Sequence, residues 1–107
     1  MMPTTLEHLE PLRSMLSGKW KLDILFQLAG GAARWSTLVA SLPDAAPTVL
    51  TRQLRQLERD GLIFRNVLSA QPPQVVEYAL TAKGQHLAPL LFRLVRWDET
   101  FRQSFAG

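Results

Sequence analysis

The run from Ala46 to Gly61, A-P-T-V-L-T-R-Q-L-R-Q-L-E-R-D-G, decides how this chain is read. Leu50, Leu54 and Leu57 recur at helical spacing and form one apolar stripe, while Thr48, Arg52, Arg55 and Arg59 gather on the opposite side of the same helix. The helix therefore has a buried back and a basic front. Within the run no acid comes before Glu58. An outward line of one threonine and three arginines suits a polyanion better than plain solvent. Pro47 is well placed as a first helical residue, because the N–H it lacks would have no intrahelical partner there.

Upstream of this run, Ser36 is the expected N-cap of a brief helix through Leu38, Val39 and Leu42 that stops at Pro43-Asp44. Two short helices joined by a few turn residues make a helix-turn-helix, at about residues 36–60. Before it, Arg34-Trp35 has room only for a bridging strand. A helix fits Lys19 to Leu28, with Trp20, Ile24, Leu25 and Leu28 on one face and Gly30-Gly31 as its stop. Leu6, Leu9, Leu12, Met15 and Leu16 keep the spacing of a first helix, which Pro11 either kinks or delays.

Downstream of Gly61 the periodicity changes. The β-rich runs Leu62 to Leu68 and Val75 to Leu80 flank the turn-forming S-A-Q-P-P-Q, which predicts a hairpin over about residues 62–80. Thr81 can cap a last helix over about residues 82–105, where Leu87, Leu90, Leu91, Leu94, Val95, Trp97, Phe101 and Phe105 recur every three or four residues. The expected fold is mainly α with a small β-hairpin (α+β): a winged helix-turn-helix with an N-terminal helix and a long C-terminal helix. No repeat or linker divides the chain, so residues 1–107 read as one domain.

A chain of 107 residues, 47% hydrophobic, can bury one modest core, and pairing with a second copy would double the buried surface. A homodimer is therefore expected. The net charge of +3 favours acidic partners, and the absence of cysteine excludes disulfides, thiolate metal sites and thiol sensing within these residues. No stretch of about 18 apolar residues and no basic-then-apolar leader is present, so neither a membrane span nor a secretory signal is read, and a cytoplasmic location is expected. His8 and His86 lie far apart with no cysteine or carboxylate at zinc-ligand spacing, which argues against a metal site. Gly30-Gly31 lacks the lysine and hydroxyl residue of a phosphate-binding loop, and no Ser-His-acid or paired-carboxylate spacing stands out. Neither a cofactor nor enzymatic activity is expected.

Four blocks narrow the reading further: Gly18-Lys19-Trp20; L-T-R-Q-L-R-Q-L-E-R-D-G-L from Leu50 to Leu62; P-P followed by Val76-Glu77-Tyr78; and L-T-x-K-G from Leu80 to Gly84. In this order, and over roughly residues 6 to 105, the chain resembles the HxlR-type transcriptional regulators, relatives of the MarR-like winged-helix proteins. The resemblance implies a homodimer that binds double-stranded DNA at a roughly palindromic operator, with the basic helix in a major groove and the hairpin wing on the backbone or an adjacent minor groove. It places Thr48, Val49, Thr51 and Arg52 at base edges, with Gln53 as a further candidate nearer the buried stripe. Phosphate contacts fall to Arg55, Arg59, Arg65, Gln74, Lys19 and Lys21. Leu6, Leu9, Leu90, Leu94, Trp97, Phe101 and Phe105 become dimer-interface candidates. Whether a small-molecule effector exists is left open.

The chain also departs from the family pattern. Glu7 and His8 stand where many relatives carry a Cys-Pro pair, Ala46-Pro47 replaces the serine that caps the basic helix, and Gln74 follows the proline pair in place of a basic residue. Asp44 is the candidate for a substitute cap, and the wing is left with a smaller share of phosphate contact. The alternative reading is a winged-helix module that docks a protein through its long last helix, without DNA. Such a module has no need for Thr48, Arg52, Arg55 and Arg59 to align outward.

Overall fold

The computed structural model describes residues 9–106, with side chains through residue 103; Leu6, Glu7, His8 and the side chain of Phe105 lie outside the described set. The elements follow in the order α1 (Glu10–Leu16), α2 (Lys21–Ala29), β1 (Ala33–Arg34), α3 (Trp35–Ser41), α4 (Pro47–Arg59), β2 (Ile63–Ser69), β3 (Val75–Leu80) and α5 (Ala82–Ala106). Pro11 falls in the first turn of α1, so that helix starts late and is not kinked.

The three strands form an antiparallel sheet in the order β1-β3-β2. Pairing of Arg34 with Glu77 holds Arg34 extended, and α3 begins immediately after it. That sheet contact overrides the expected Ser36 cap: Ser36 lies inside α3, and no side chain caps this helix. Nor does Asp44 cap α4. Ala46 occupies that N-cap position with no side-chain hydrogen bond, and Pro47 starts the helix.

The core is built where the apolar stripes converge. Ile24, Leu25 and Leu28 of α2 meet Leu50, Leu54 and Leu57 of α4, closed by Leu38 of α3, Leu62 and Ile63 beside β2, and Leu91 of α5. Trp20 and Trp35 are half-buried against this core.

The chain leaves α4 through a tight helix stop. Gly61 adopts φ +76°, its N–H donates to the Glu58 carbonyl, and the Leu62 N–H donates to the Leu57 carbonyl, each at 3.0 Å. These are the paired bonds of a Schellman ending, and the buried Leu57 and Leu62 supply its apolar contact. The first turn of α5 then clasps that stop. Thr81 accepts the Gly84 N–H through its hydroxyl at 3.1 Å, as expected of a cap, and donates the same hydroxyl to the Gly61 carbonyl. The Lys83 ammonium donates to the Asp60 carbonyl at 2.9 Å, and the Thr81 N–H donates to the Leu62 carbonyl at 3.0 Å. The L-T-x-K-G block thus serves as the clasp between the basic helix and the long helix.

Candidate nucleic-acid interface

On α4 the buried stripe anchors the helix from behind, and Thr48, Arg52, Arg55 and Arg59 all lie exposed on the far side. Ion pairs among the described residues join Arg13 to Glu10 and Arg102 to Asp98, so none of the described carboxylates pairs with an α4 arginine. Three fixed positive charges on one ridge, free of acid partners, make a surface for a polyanion. Val49 is half-buried beside the ridge. Thr51 is half-buried too, and its hydroxyl donates to the Pro47 carbonyl at 3.0 Å, which leaves that oxygen only as an acceptor for outside groups.

Two expected contact residues are corrected. Gln53 is only 6% exposed: it projects toward the turn between α1 and α2, where the absence of a side chain at Gly18, held at φ +115°, leaves room for its amide. It belongs to the packing of α4 and not to the basic ridge. Lys21 is 2% exposed; as the first residue of α2 it turns inward, and its ammonium donates to the Ser14 carbonyl of α1 at 2.9 Å. Burial pushes the Lys21 ammonium below the ordinary lysine range, the Asp60 carboxylate opposes that shift, and Arg59 adds to it. No phosphate can reach this group. Lys19, by contrast, is exposed, with its ammonium 5.1 Å from the centre of the Trp20 ring.

In the wing, Arg65 of β2 is exposed and donates to the side-chain carbonyl of Gln74, in the loop before β3, at 3.3 Å, so the two wing candidates stand together. Arg34 was missed in the sequence. It is exposed, and with Trp35, Ser36 and Gln74 it lines a small cleft between the start of α3 and the base of the wing. Only the β1-β3 pairing brings it there, and a two-residue strand has too little pattern to announce a partner more than 40 residues away.

Along α5 the apolar residues divide between two faces. Ala88 and Leu91 enter the core, while Leu90, Leu94, Trp97 and Phe101 form an exposed ridge on which Trp97 is 60% exposed and its ring lies 5.4 Å from that of Phe101. Trp97 is thus excluded from the monomer core. Leu9, the N-cap of α1, is likewise exposed.

The model of the HxlR-like helix-turn-helix family matches residues 15–105. The chain belongs to that family. Among its relatives, the HTH-type transcriptional regulator YvaP of Bacillus subtilis (strain 168) is 40% identical over 83 residues, covering 78% of this chain and 76% of YvaP. The crystal structure of a MarR-family transcriptional regulator from Enterococcus faecalis V583 superposes with a TM-score of 0.84 at 36% identity, covering 99% of this chain and 96% of that one. That of the HTH-type regulator YtcD gives 0.79 at 36% identity, covering 95% and 99%. This HxlR-like protein therefore carries the winged helix-turn-helix fold of a transcriptional regulator. No helix among its described residues is long and apolar enough to cross a membrane.

Proposed function

We propose that this HxlR-like protein is a cytoplasmic, single-domain regulator that binds double-stranded DNA as a homodimer at a roughly palindromic operator. The observation that carries the reading is the acid-free ridge of Thr48, Arg52, Arg55 and Arg59, standing exposed on a helix whose other side is locked into the core. The early turns, with Thr48, Val49, Thr51 and Arg52, meet base edges; Arg55 and Arg59 further along, together with Lys19 and the Arg65-Gln74 pair of the wing, meet phosphates. Arg34, at the base of the wing, joins the phosphate set. Without cysteine the chain has no thiol through which to sense oxidants.

Selection from a random duplex pool tests the reading directly. An inverted repeat with half-sites about one helical turn, or a multiple of it, apart is expected, and its affinity should fall steeply with added salt. A pool that yields no enriched sequence and shows no salt-sensitive retention would favour a protein-docking module.

Leu90, Leu94, Trp97 and Phe101 of α5, with Leu9 of α1, supply the apolar surface for the second copy. The double variant Leu94→Glu/Trp97→Glu is expected to sediment as a folded monomer and to bind the enriched duplex at least tenfold more weakly. An unchanged sedimentation coefficient would remove this ridge from the dimer interface.

A further inference from the structure

Lys21 stands at the wrong end of its own helix. It is the first residue of α2, where the helix dipole is positive and a cation is disfavoured, and its side chain is buried. The acceptor that its ammonium meets accounts for the position. That acceptor, at 2.9 Å, is the Ser14 carbonyl in the last turn of α1, where carbonyls have no intrahelical donor and the dipole is negative. The Ser17 hydroxyl adds a weaker bond to the same oxygen at 3.3 Å. Lys21 is thus a charged clamp on the C-terminal end of the preceding helix.

α1 needs such a clamp. It has seven residues, too few to hold a helix in water unaided, and none of them is fully buried. Met15 and Leu16 rest against the core, while Leu12 and the N-cap Leu9 stand exposed on the outward side. The turn that joins α1 to α2 is seated on α4, because Gly18, at φ +115°, lies against the Gln53 amide. That seat fixes the pivot of α1, and the Lys21 bond fixes its angle about the pivot. Apolar contacts have little directionality, whereas a charge-assisted hydrogen bond has a defined direction. Since α2 is locked to α4 through the core, anything that grips the outward side of α1 is held at a set angle to the basic ridge.

We propose that Lys21 is a positioning residue that sets the geometry between the two reading helices of the dimer, a role that rests on the homodimeric DNA-binding reading above. By clamping Ser14 it holds α1, and through Leu9 and Leu12 the second copy, at one angle to the α4 ridge, and so selects the separation of the two half-sites. Moving one half-site by a single base pair turns it about 35° around the duplex axis, which a dimer of fixed angle rejects. Without the clamp α1 swings, and the rejection weakens.

The full chain without DNA supplies the first test. It has no cysteine, so spin labels attach only where one is introduced, at Glu10→Cys on α1 and Glu58→Cys on α4, both exposed positions. With labelled protein diluted in unlabelled, the distance between the two labels of one chain should be narrowly distributed. Lys21→Met, which keeps the stem and removes the ammonium, should broaden that distribution about twofold or shift its mean. Lys21→Gln, whose amide ends one bond short of the ammonium, should do the same and replaces Lys21→Met if the latter does not fold. A wild-type distribution in the folded variant overturns the proposal whatever the ridge binds.

Duplexes carrying the enriched repeat, with half-sites at the selected separation or one base pair closer or farther apart, supply the second test. The wild type should lose about tenfold in affinity on either change and Lys21→Met no more than about threefold. Both should bind a single half-site equally and with the same salt dependence, since no phosphate contact has been removed. A variant that keeps the wild-type spacing preference overturns the proposal even if its labels move. If the wild type enriches no duplex, the DNA-binding reading has failed, and a changed label distance still upholds the clamp between α1 and the body.

Discussion

Gly84→Ala is expected to lower the melting temperature by about 10 °C or more, although alanine is the better helix former. Gly84 lies in the first turn of α5, where a Cβ would run into the Leu62 backbone carbonyl and press on its carbonyl carbon at 3.2 Å and a Leu80 methyl at 3.2 Å. Helix propensity favours the change by about 1 kcal/mol. Against that, overpacking a fixed site costs about 1–3 kcal/mol and occasionally more. The upper end applies here, because the obstacle is main chain that cannot rotate away. The Leu62 carbonyl accepts the Thr81 N–H, and the Leu62 N–H closes the Schellman ending of α4, so moving this peptide loosens both helices. With a net loss of about 2 kcal/mol, and about 4–8 °C per kcal/mol for a domain near this size, the shift follows. Gly30→Ala is the control. Gly30 has an ordinary φ of −80°, and its added methyl meets only the Gln27 carbonyl at 3.5 Å, so thermal unfolding should be nearly unchanged. Equal melting temperatures for the two variants would mean that the clasp between α4 and α5 is looser than its hydrogen bonds imply.

That clasp also marks how far local pattern reaches. The apolar spacings of α2, α4 and α5, the turn that follows Ser69, which itself still pairs with Val75 at the end of β2, and the Thr81 cap were legible because each depends on residues within one or two turns. The inward turn of Lys21 and the burial of Gln53 were not: the first depends on how α1 packs beside α2, and the second on the Gly18 turn meeting α4, a contact made across more than 30 residues. Lysine is rarely buried, so composition argues for the surface, and only the Ser14 carbonyl in place above its ammonium reverses the reading. Gln53 is subtler. On the helix it lies at the margin of the leucine stripe, and a small change in neighbouring backbone decides which side of the surface a marginal residue takes. Gly18 makes that decision by presenting no side chain. The Ser36 cap failed for the same reason in reverse: a distant strand set the start of α3 before the hydroxyl could.

Within the ridge itself, Arg52→Ala and Arg59→Ala should separate reading from holding. Arg52 stands one turn into α4, where a recognition helix of this class faces base edges, and among the described residues no carboxylate pairs with its guanidinium. A bidentate guanidinium-guanine contact contributes about 1–3 kcal/mol of discrimination, equivalent to about 5- to 150-fold in affinity for the enriched duplex. Arg52→Ala should therefore bind that duplex far more weakly, lose discrimination at one base pair of each half-site, and change little on random DNA. Arg59 stands at the far end of α4, beside the Gly61 stop, and is a proposed phosphate contact. Its removal should weaken specific and random duplexes alike and reduce the salt slope by about one charge per protomer. Titrations of both variants against both duplexes at several salt concentrations give the result in one experiment. If Arg52→Ala weakens the two duplexes equally, the first turns of α4 do not lie along the base edges, and the protein meets DNA through its charge alone.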